Sequence, residues 1–381
     1  MTARENYFFP DEPTRFTPEY LDRILEFCEQ HNTSDITIQT NEPIYAEIYG
    51  RLYQIVKRHL SNTEVGDLLN TIYGPNGVAQ LLSGADVDTH YEFKPSRTQR
   101  YRYRVNATAC QVEGHEGIQI TLRSIPSTPP PLDALGLDPK VAQAIAPPQG
   151  IVYVTGATGS GKSTLLAAII RNIIEQQDSN RKVLTYEAPI EFVYDEIQTT
   201  SAVVSQSEIP RHLPSFAAGV RNALRRKPGL ILVGEARDVE TMSAALEAAM
   251  TGHPVYTTMH TNGVAETIRR LVTTFPAEER LGRTVDILET IRLVIWQKLV
   301  PTIDGKRVAL REYLVFNEEV RDQLLETDPT MVTAKTRELV KTHGQLMKID
   351  AQRKYEDGII SEREFNLIVK GSRLADQDLH Q

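Results

Sequence analysis

Cysteine is nearly missing from this 381-residue chain: Cys28 and Cys110 are its two, too few for a disulfide framework and too far apart for a C-x-x-C motif. A reducing cytoplasm is the expected compartment. No apolar run reaches the roughly 18 residues of a membrane span, so no segment is expected to cross a bilayer; peripheral attachment through a partner stays open. Met1-Thr2-Ala3-Arg4-Glu5-Asn6 has no apolar h-region, and no secretory signal is expected. Positive charge is not in excess: 42 Lys and Arg stand against 50 Asp and Glu, a formal net charge of −8. That balance gives no general attraction to nucleic acid, and no basic groove interleaved with aromatics stands out, so no stable nucleic-acid binding is expected. Internal repeats are absent as well.

What the chain does carry is Gly156-Ala157-Thr158-Gly159-Ser160-Gly161-Lys162-Ser163, followed at once by Thr164. These residues fit the phosphate-binding pattern G-x-x-x-x-G-K-[ST]. Their context is right: the β-rich run Ile151-Val152-Tyr153-Val154-Thr155 precedes them, and a helical stretch from Lys162 to about Gln176 follows. Strand, glycine loop and helix N-terminus make an anion cradle, with backbone N–H groups turned inward and the helix dipole favouring phosphate. Lys162 is placed to reach the β- and γ-phosphates and the Ser163 hydroxyl to ligate Mg²⁺. The expected ligand is a nucleoside triphosphate with Mg²⁺.

Hydrophobic content of 40% and charged content of 24% fit a soluble globular protein, and the length allows two domains and a C-terminal appendage. The clearest punctuation is Ser127-Thr128-Pro129-Pro130-Pro131, where consecutive prolines favour extended geometry; 127–136 reads as a linker. Upstream, 1–126, a stretch of helical spacing from Pro18 to His31 precedes short alternating segments, a mixture that predicts a small α+β domain. Downstream, 137–371, apolar runs at 151–155, 183–186, 230–234 and 255–259 alternate with helical stretches at about 162–177, 215–226, 238–251 and 264–274. That is the pattern of an α/β domain with a parallel sheet covered on both faces. A further strand pair is expected around Lys306 to Leu314, Glu-, Lys- and Arg-rich helices from Asn317, and a frayed tail over 372–381.

Chemistry-bearing residues fall at the C-terminal ends of the apolar runs, the edge at which open α/β sheets bind ligands. Glu235 ends Leu230-Ile231-Leu232-Val233-Gly234, where an acid holds Mg²⁺ through water or polarises the attacking water. Alone this is a weak signal; its weight comes from the phosphate loop. Arg237 and Asp238 read as a helix start with Asp238 as N-cap. Glu187, in Thr185-Tyr186-Glu187-Ala188-Pro189-Ile190-Glu191-Phe192, suits a general base or water-orienting group, and Glu191 either supports it or stays solvated. His260, in Met259-His260-Thr261-Asn262, is placed to donate a hydrogen bond to the γ-phosphate, whereas His253 before Pro254 reads as a packing or interface residue. No Cys or Asp lies at ligand spacing beside either histidine, which argues against zinc.

In their order, the phosphate loop, Glu187-Ala188-Pro189-Ile190-Glu191, Gly234-Glu235-Ala236-Arg237-Asp238 and the Thr251-Gly252-His253 to His260-Thr261-Asn262 segment resemble the secretion/type IV pilus ATPase superfamily, whose last three boxes are called Asp box, Walker B and His box. The resemblance extends over about residues 20–370: Ser34-Asp35-Ile36-Thr37-Ile38, Gly50-Arg51-Leu52, Arg104-Val105-Asn106 and Arg123-Ser124-Ile125-Pro126 look like its N-terminal domain. Gln297-Lys298-Leu299-Val300-Pro301 and Met347-Lys348-Ile349-Asp350 also match, most specifically the retraction-ATPase (PilT-like) branch. Three departures point away from a pilus retraction motor. The usual acid between the Asp-box Glu and Pro is Ala188, the Asp-Pro-Asp before Walker B is Lys227-Pro228-Gly229, and the C-terminal motif survives only as Glu319-Val320-Arg321-Asp322-Gln323-Leu324. They point to the DotB-like ATPases of type IVB secretion and related conjugative transfer systems.

This resemblance implies a PAS-like N-terminal α+β domain, a linker and a RecA-like P-loop ATPase domain with C-terminal helices, assembled as a homohexamer. It implies ATP hydrolysis with Ser163 and Glu235 serving Mg²⁺, Glu187 activating or orienting water, His260 reporting the γ-phosphate, and Arg104 and Arg123 reaching the phosphates. Implied partners are other subunits and components of a secretion or transfer apparatus at the inner membrane. The rival readings are a DNA translocase, disfavoured by the acidic balance; a small-molecule kinase, for which no acceptor pocket or lid is advertised; and a nucleotide-braced ring with little hydrolysis, to which Ala188 gives weight.

Overall fold

The computed structural model describes residues 7–96, 99–125 and 127–377, with side chains as far as residue 370. Pro126, which closes the expected first domain, and residues 378–381 of the expected tail lie outside the described residues. The chain divides into two compact units, one running up to Thr128 and including Ala188–Val193, the other comprising Pro129–Glu187 and the chain from Tyr194 on.

The first unit holds α1 (Pro18–Gln30), β1 (Thr33–Gln39), β2 (Tyr45–Ile48), β3 (Arg51–Gln54), α2 (Asn62–Tyr73), α3 (Gly77–Leu82), β4 (Val87–Phe93), β5 (Tyr101–Val112) and β6 (His115–Ile125). Proline at the first turn starts α1, and Leu21, Ile24, Leu25 and Cys28 bury one face at helical spacing. Ser61 and Glu64 close a reciprocal capping box on α2. The six strands pair antiparallel in the order β3-β2-β1-β6-β5-β4. Period-two alternation divides the sheet: Ile36, Ile38, Val105, Ala107, Ile120 and Leu122 join the core with the helices, while the alternate residues Asp35, Arg104 and Arg123 belong to the opposite, polar face.

The second unit opens with a 3₁₀ turn (Leu132–Leu135) and α4 (Pro139–Ala144), followed by β7 (Gly150–Thr155), α5 (Lys162–Ile174), β8 (Lys182–Glu187), β9 (Val203–Glu208), α6 (Phe216–Leu224), β10 (Leu230–Val233), α7 (Val239–Met250), β11 (Pro254–Met259), α8 (Val264–Thr274) and α9 (Arg280–Thr290). The hairpin β12 (Ile291–Pro301) and β13 (Arg307–Val315) then precedes α10 (Glu318–Leu325), α11 (Val332–His343), α12 (Met347–Glu356) and α13 (Glu362–Gln377). The sheet order is β13-β12-β7-β11-β10-β8-β9, parallel throughout except for β13. β7, β10 and β11 are buried at every position, as continuous apolar runs require in a sheet covered on both faces. Ile151 and Tyr153 join the core shared with α6–α11, and the alternate Val152 and Val154 are buried too. The hairpin near residue 306 begins earlier than its sequence pattern suggests, because β12 takes up the whole run from Ile291. Among the described residues no helix is long and apolar enough to cross a membrane.

Candidate nucleotide site

The loop after β7 is shaped by glycines that no other residue replaces easily. Gly156 and Gly161 have φ of +148° and +82°. A Cβ on Gly156 would collide with the Gln297 carbonyl, and one on Gly161 would come 2.9 Å from Gln297 Nε2. Lys162, the first residue of α5, is buried and donates from Nζ to the carbonyls of Gly156 at 3.0 Å and Ala157 at 2.9 Å. Ammonium charge and helix N-terminus therefore meet within one turn of chain. Ala157, Thr158 and Gly159 are exposed, while Ser163 and Thr164 are half-buried in the first helical turn. This geometry fits a polyphosphate.

The other expected groups sit at the ends of the neighbouring strands. Sheet order puts His260 after β11, beside the loop-bearing β7; Glu235 follows β10 and Glu187 ends β8. The structure brings two of them together, His260 Nε2 lying 3.6 Å from Glu235 Oε1. Glu187 Oε1 accepts from Thr185 Oγ1 at 2.6 Å and Gln206 Nε2 at 3.2 Å. Asp238 caps α7 by accepting from the Thr241 N–H at 2.8 Å, and Arg237 is exposed. His253 Nδ1 lies 3.1 Å from the Ala248 carbonyl, tying the end of α7 to the turn before β11. Among the described residues no cluster of three or more His, Cys, Asp or Glu side chains could hold a metal ion. Mg²⁺ needs no such cage, since phosphates and waters complete its shell; one hydroxyl, Ser163, and one carboxylate, Glu235, fit that chemistry.

Sequence reasoning met Gln297 only inside a segment of resemblance and did not assign it, or Arg311, to holding this site in shape. Gln297 of β12 donates from Nε2 to the Ser160 carbonyl at 2.6 Å, and buried Arg311 of β13 donates from Nε to Gln297 Oε1 at 2.8 Å. Burial lowers the Arg311 guanidinium to about 10, with Asp350 opposing the shift. Buried threonines make a second brace: Thr267 Oγ1 lies 2.7 Å from Thr261 Oγ1 and 3.4 Å from Thr155 Oγ1, linking the His260 loop to the strand before the phosphate loop.

In the first unit, Arg104 and Arg123 are register partners on β5 and β6, on the polar face. Arg104 pairs with Asp88 at 2.8 Å and Arg123 with Asp35 at 2.8 Å, and the Asp88 hydrogen bond holds the Arg104 proton more tightly. Arg102, two residues before Arg104, is fully buried. It donates to the carbonyls of Ile190 at 2.8 Å and Glu191 at 2.5 Å and pairs with Glu92 at 3.3 Å.

A phosphate loop at the carboxyl edge of a parallel sheet, with acids on adjacent strand ends, places the second unit among RecA-like P-loop ATPase domains. The family model described as "Type II/IV secretion system protein" matches residues 15–346, and the chain belongs to that family. Among solved structures, the Legionella pneumophila ATPase DotB is 72% identical, with 96% of this chain and 99% of that one covered and a TM-score of 0.92. The pilus retraction motor PilT with bound ADP is 29% identical, with 91% and 96% covered and a TM-score of 0.76. A "Twitching motility protein" of Neisseria gonorrhoeae is 39% identical over 289 residues, 75% of this chain and 74% of that protein. The chain is thus a PilT-like, DotB-like secretion ATPase by kinship.

Proposed function

We propose that this chain is an ATP-hydrolysing motor that works as a homohexamer and powers type IVB secretion or conjugative transfer from the cytoplasmic side of the inner membrane. The observation that carries the reading is the row of strand ends on which the Lys162 loop, His260, Glu235 and Glu187 stand side by side. The 72% identity to the DotB ATPase supports the type IVB assignment over pilus retraction. Partners are further copies of the chain and components of the transfer apparatus, and no stable nucleic-acid binding is part of the reading.

In this mechanism the loop N–H groups and Lys162 hold the β- and γ-phosphates. Ser163 and Glu235 would hold Mg²⁺, which would supply positive charge to the phosphates. Glu187 orients the attacking water and takes its proton as the oxygen bonds to the γ-phosphorus, while the bond to the ADP oxygen breaks. His260 donates to a γ-phosphate oxygen and so senses which nucleotide is bound. Arg104 and Arg123 add positive charge at the phosphates. Ala188 leaves Glu187 to act alone or with Glu191 as the Asp-box acid, which is the observation favouring a second reading, a nucleotide-braced ring with little turnover.

The deciding experiment measures phosphate release by the purified protein, Lys162→Gln and Glu187→Gln, with each sized in ATP and in ADP. The motor reading expects turnover and a six-subunit species in the wild type, and loss of turnover in both variants. Turnover undiminished in Glu187→Gln would remove the catalytic assignment. A six-subunit species that never turns over would leave the braced ring.

A further inference from the structure

The strand β9 carries Val203-Val204-Ser205-Gln206-Ser207-Glu208 at the sheet edge, a sequence with little to offer the core. Gln206 is its half-buried centre. In the parallel β8–β9 pair Thr185 is the register partner of Gln206, and Glu187 lies two residues beyond Thr185 on the same face. Both side chains donate to the same oxygen, Glu187 Oε1. Gln206 Oε1 in turn accepts the backbone N–H of Tyr194 at 3.3 Å. A carboxylate only accepts and a peptide N–H only donates, so these two partners fix which way round the Gln206 amide lies.

We propose that Gln206, assisted by Thr185, is the positioning group that fixes the rotamer of Glu187 for water activation. The proposal rests on the reading of Glu187 as the water-activating carboxylate. Donors that converge on one carboxylate oxygen stabilise the charged form and restrict rotation of the group, which is what a base held against a bound phosphate requires. The ionisable neighbours on the packed elements include Tyr194, Glu208 in register on β9 with His212 against its backbone N–H, and Glu235 at the end of the adjacent β10. Tyr194 is held protonated, first by burial and then by the Glu187 charge, so it presents no competing anion.

Two variants separate positioning from structure. Gln206→Met keeps the length and loses the hydrogen bonds to Glu187 and from the Tyr194 N–H; Gln206→Glu keeps the shape and sets a second carboxylate against Glu187. Turnover is measured from about pH 5 to about pH 9 beside titration with a fluorescent ADP analogue, with Glu187→Gln as reference. Gln206→Met is expected to lower kcat by roughly 10- to 100-fold with KM and ADP affinity within about twofold. Gln206→Glu is expected to move the acidic limb of the kcat profile up by about one pH unit. Wild-type kcat and an unmoved acidic limb in both, with Glu187→Gln inactive, would overturn the proposal while leaving the motor reading intact. Loss of ADP binding in both would also overturn it, making Gln206 a structural residue. An active Glu187→Gln enzyme, by contrast, would strike the reading of Glu187 itself.

Discussion

Arg104 and Arg123 stand directly opposite each other on β5 and β6, an arrangement of like charges that works against the pairing of the two strands. Each is tied outward to an aspartate, Asp88 and Asp35, and both are substantially solvent-exposed. Exposed pairs of this kind add little stability, and it is the motor reading that assigns these arginines to the phosphates. Arg104→Ala and Arg123→Ala are expected to melt within about 2 °C of the wild type while kcat/KM for ATP falls by about 100-fold. Thermal melts beside steady-state hydrolysis test this; stability falling in step with activity would make the arginines structural.

Gln297 and Arg311 give the phosphate loop its support from the far side of β7. Arg311 also donates to the carbonyls of Leu135 at 2.8 Å and Gly136 at 3.2 Å, so one guanidinium joins the chain before α4 to the brace. Arg311→Met would leave buried acceptors unpaired and is expected to cost about 3 kcal/mol. Gln297→Leu is expected to weaken ADP binding by about tenfold, read by titration, with a smaller change in melting temperature. Unaltered ADP affinity in Gln297→Leu would mean that the loop keeps its shape without the brace.

The approach of His260 to Glu235 yields a sharper expectation for turnover than for binding. If His260 contacts the γ-phosphate in the motor reading, ADP should bind equally well without it. His260→Ala is therefore expected to reduce kcat by about tenfold and leave ADP affinity within about twofold. Parallel losses in kcat and ADP affinity would assign it instead to shaping the strand ends.

The parts legible in the sequence were those whose geometry is local. A glycine loop between an apolar run and a helix specifies its own conformation, and acids at the ends of continuous apolar runs needed no partner to be located. The facing of Arg104 and Arg123 was not legible as geometry, because it depends on how β5 and β6 pair, which spacing alone leaves open. Gln297 meets Ser160 across 137 residues, a contact that no local pattern encodes. β9 escaped notice because an edge strand of Ser, Gln and Glu shows neither clear alternation nor an apolar run. Arg102 belongs by alternation to the polar face with Arg104, yet it is buried, because it holds the carbonyls of Ile190 and Glu191.

Glu312 of β13 supplies a pH dependence with a definite sign. Its Oε1 accepts the Val264 N–H at the start of α8 at 2.9 Å, and the backbone N–H of Met347 at the start of α12 also reaches it. Burial pushes the carboxyl up from 4.5 to about 7, with Glu266 adding to the rise and the two N–H groups and Arg337 opposing it. The folded state therefore keeps a proton that the unfolded chain releases. Stability from this group is full below the unfolded value, declines as pH rises toward about 7, and is level above it. Glu312→Gln retains an acceptor for Val264 and removes the titration. Relative to that variant, the wild type is expected to lose on the order of 2 kcal/mol between about pH 5 and about pH 8, after allowance for partial exposure. Denaturant unfolding of both proteins across that range reads the difference directly: parallel stability profiles would show that Glu312 is ionised throughout, whereas a gap that opens with rising pH would locate the proton between α8 and α12.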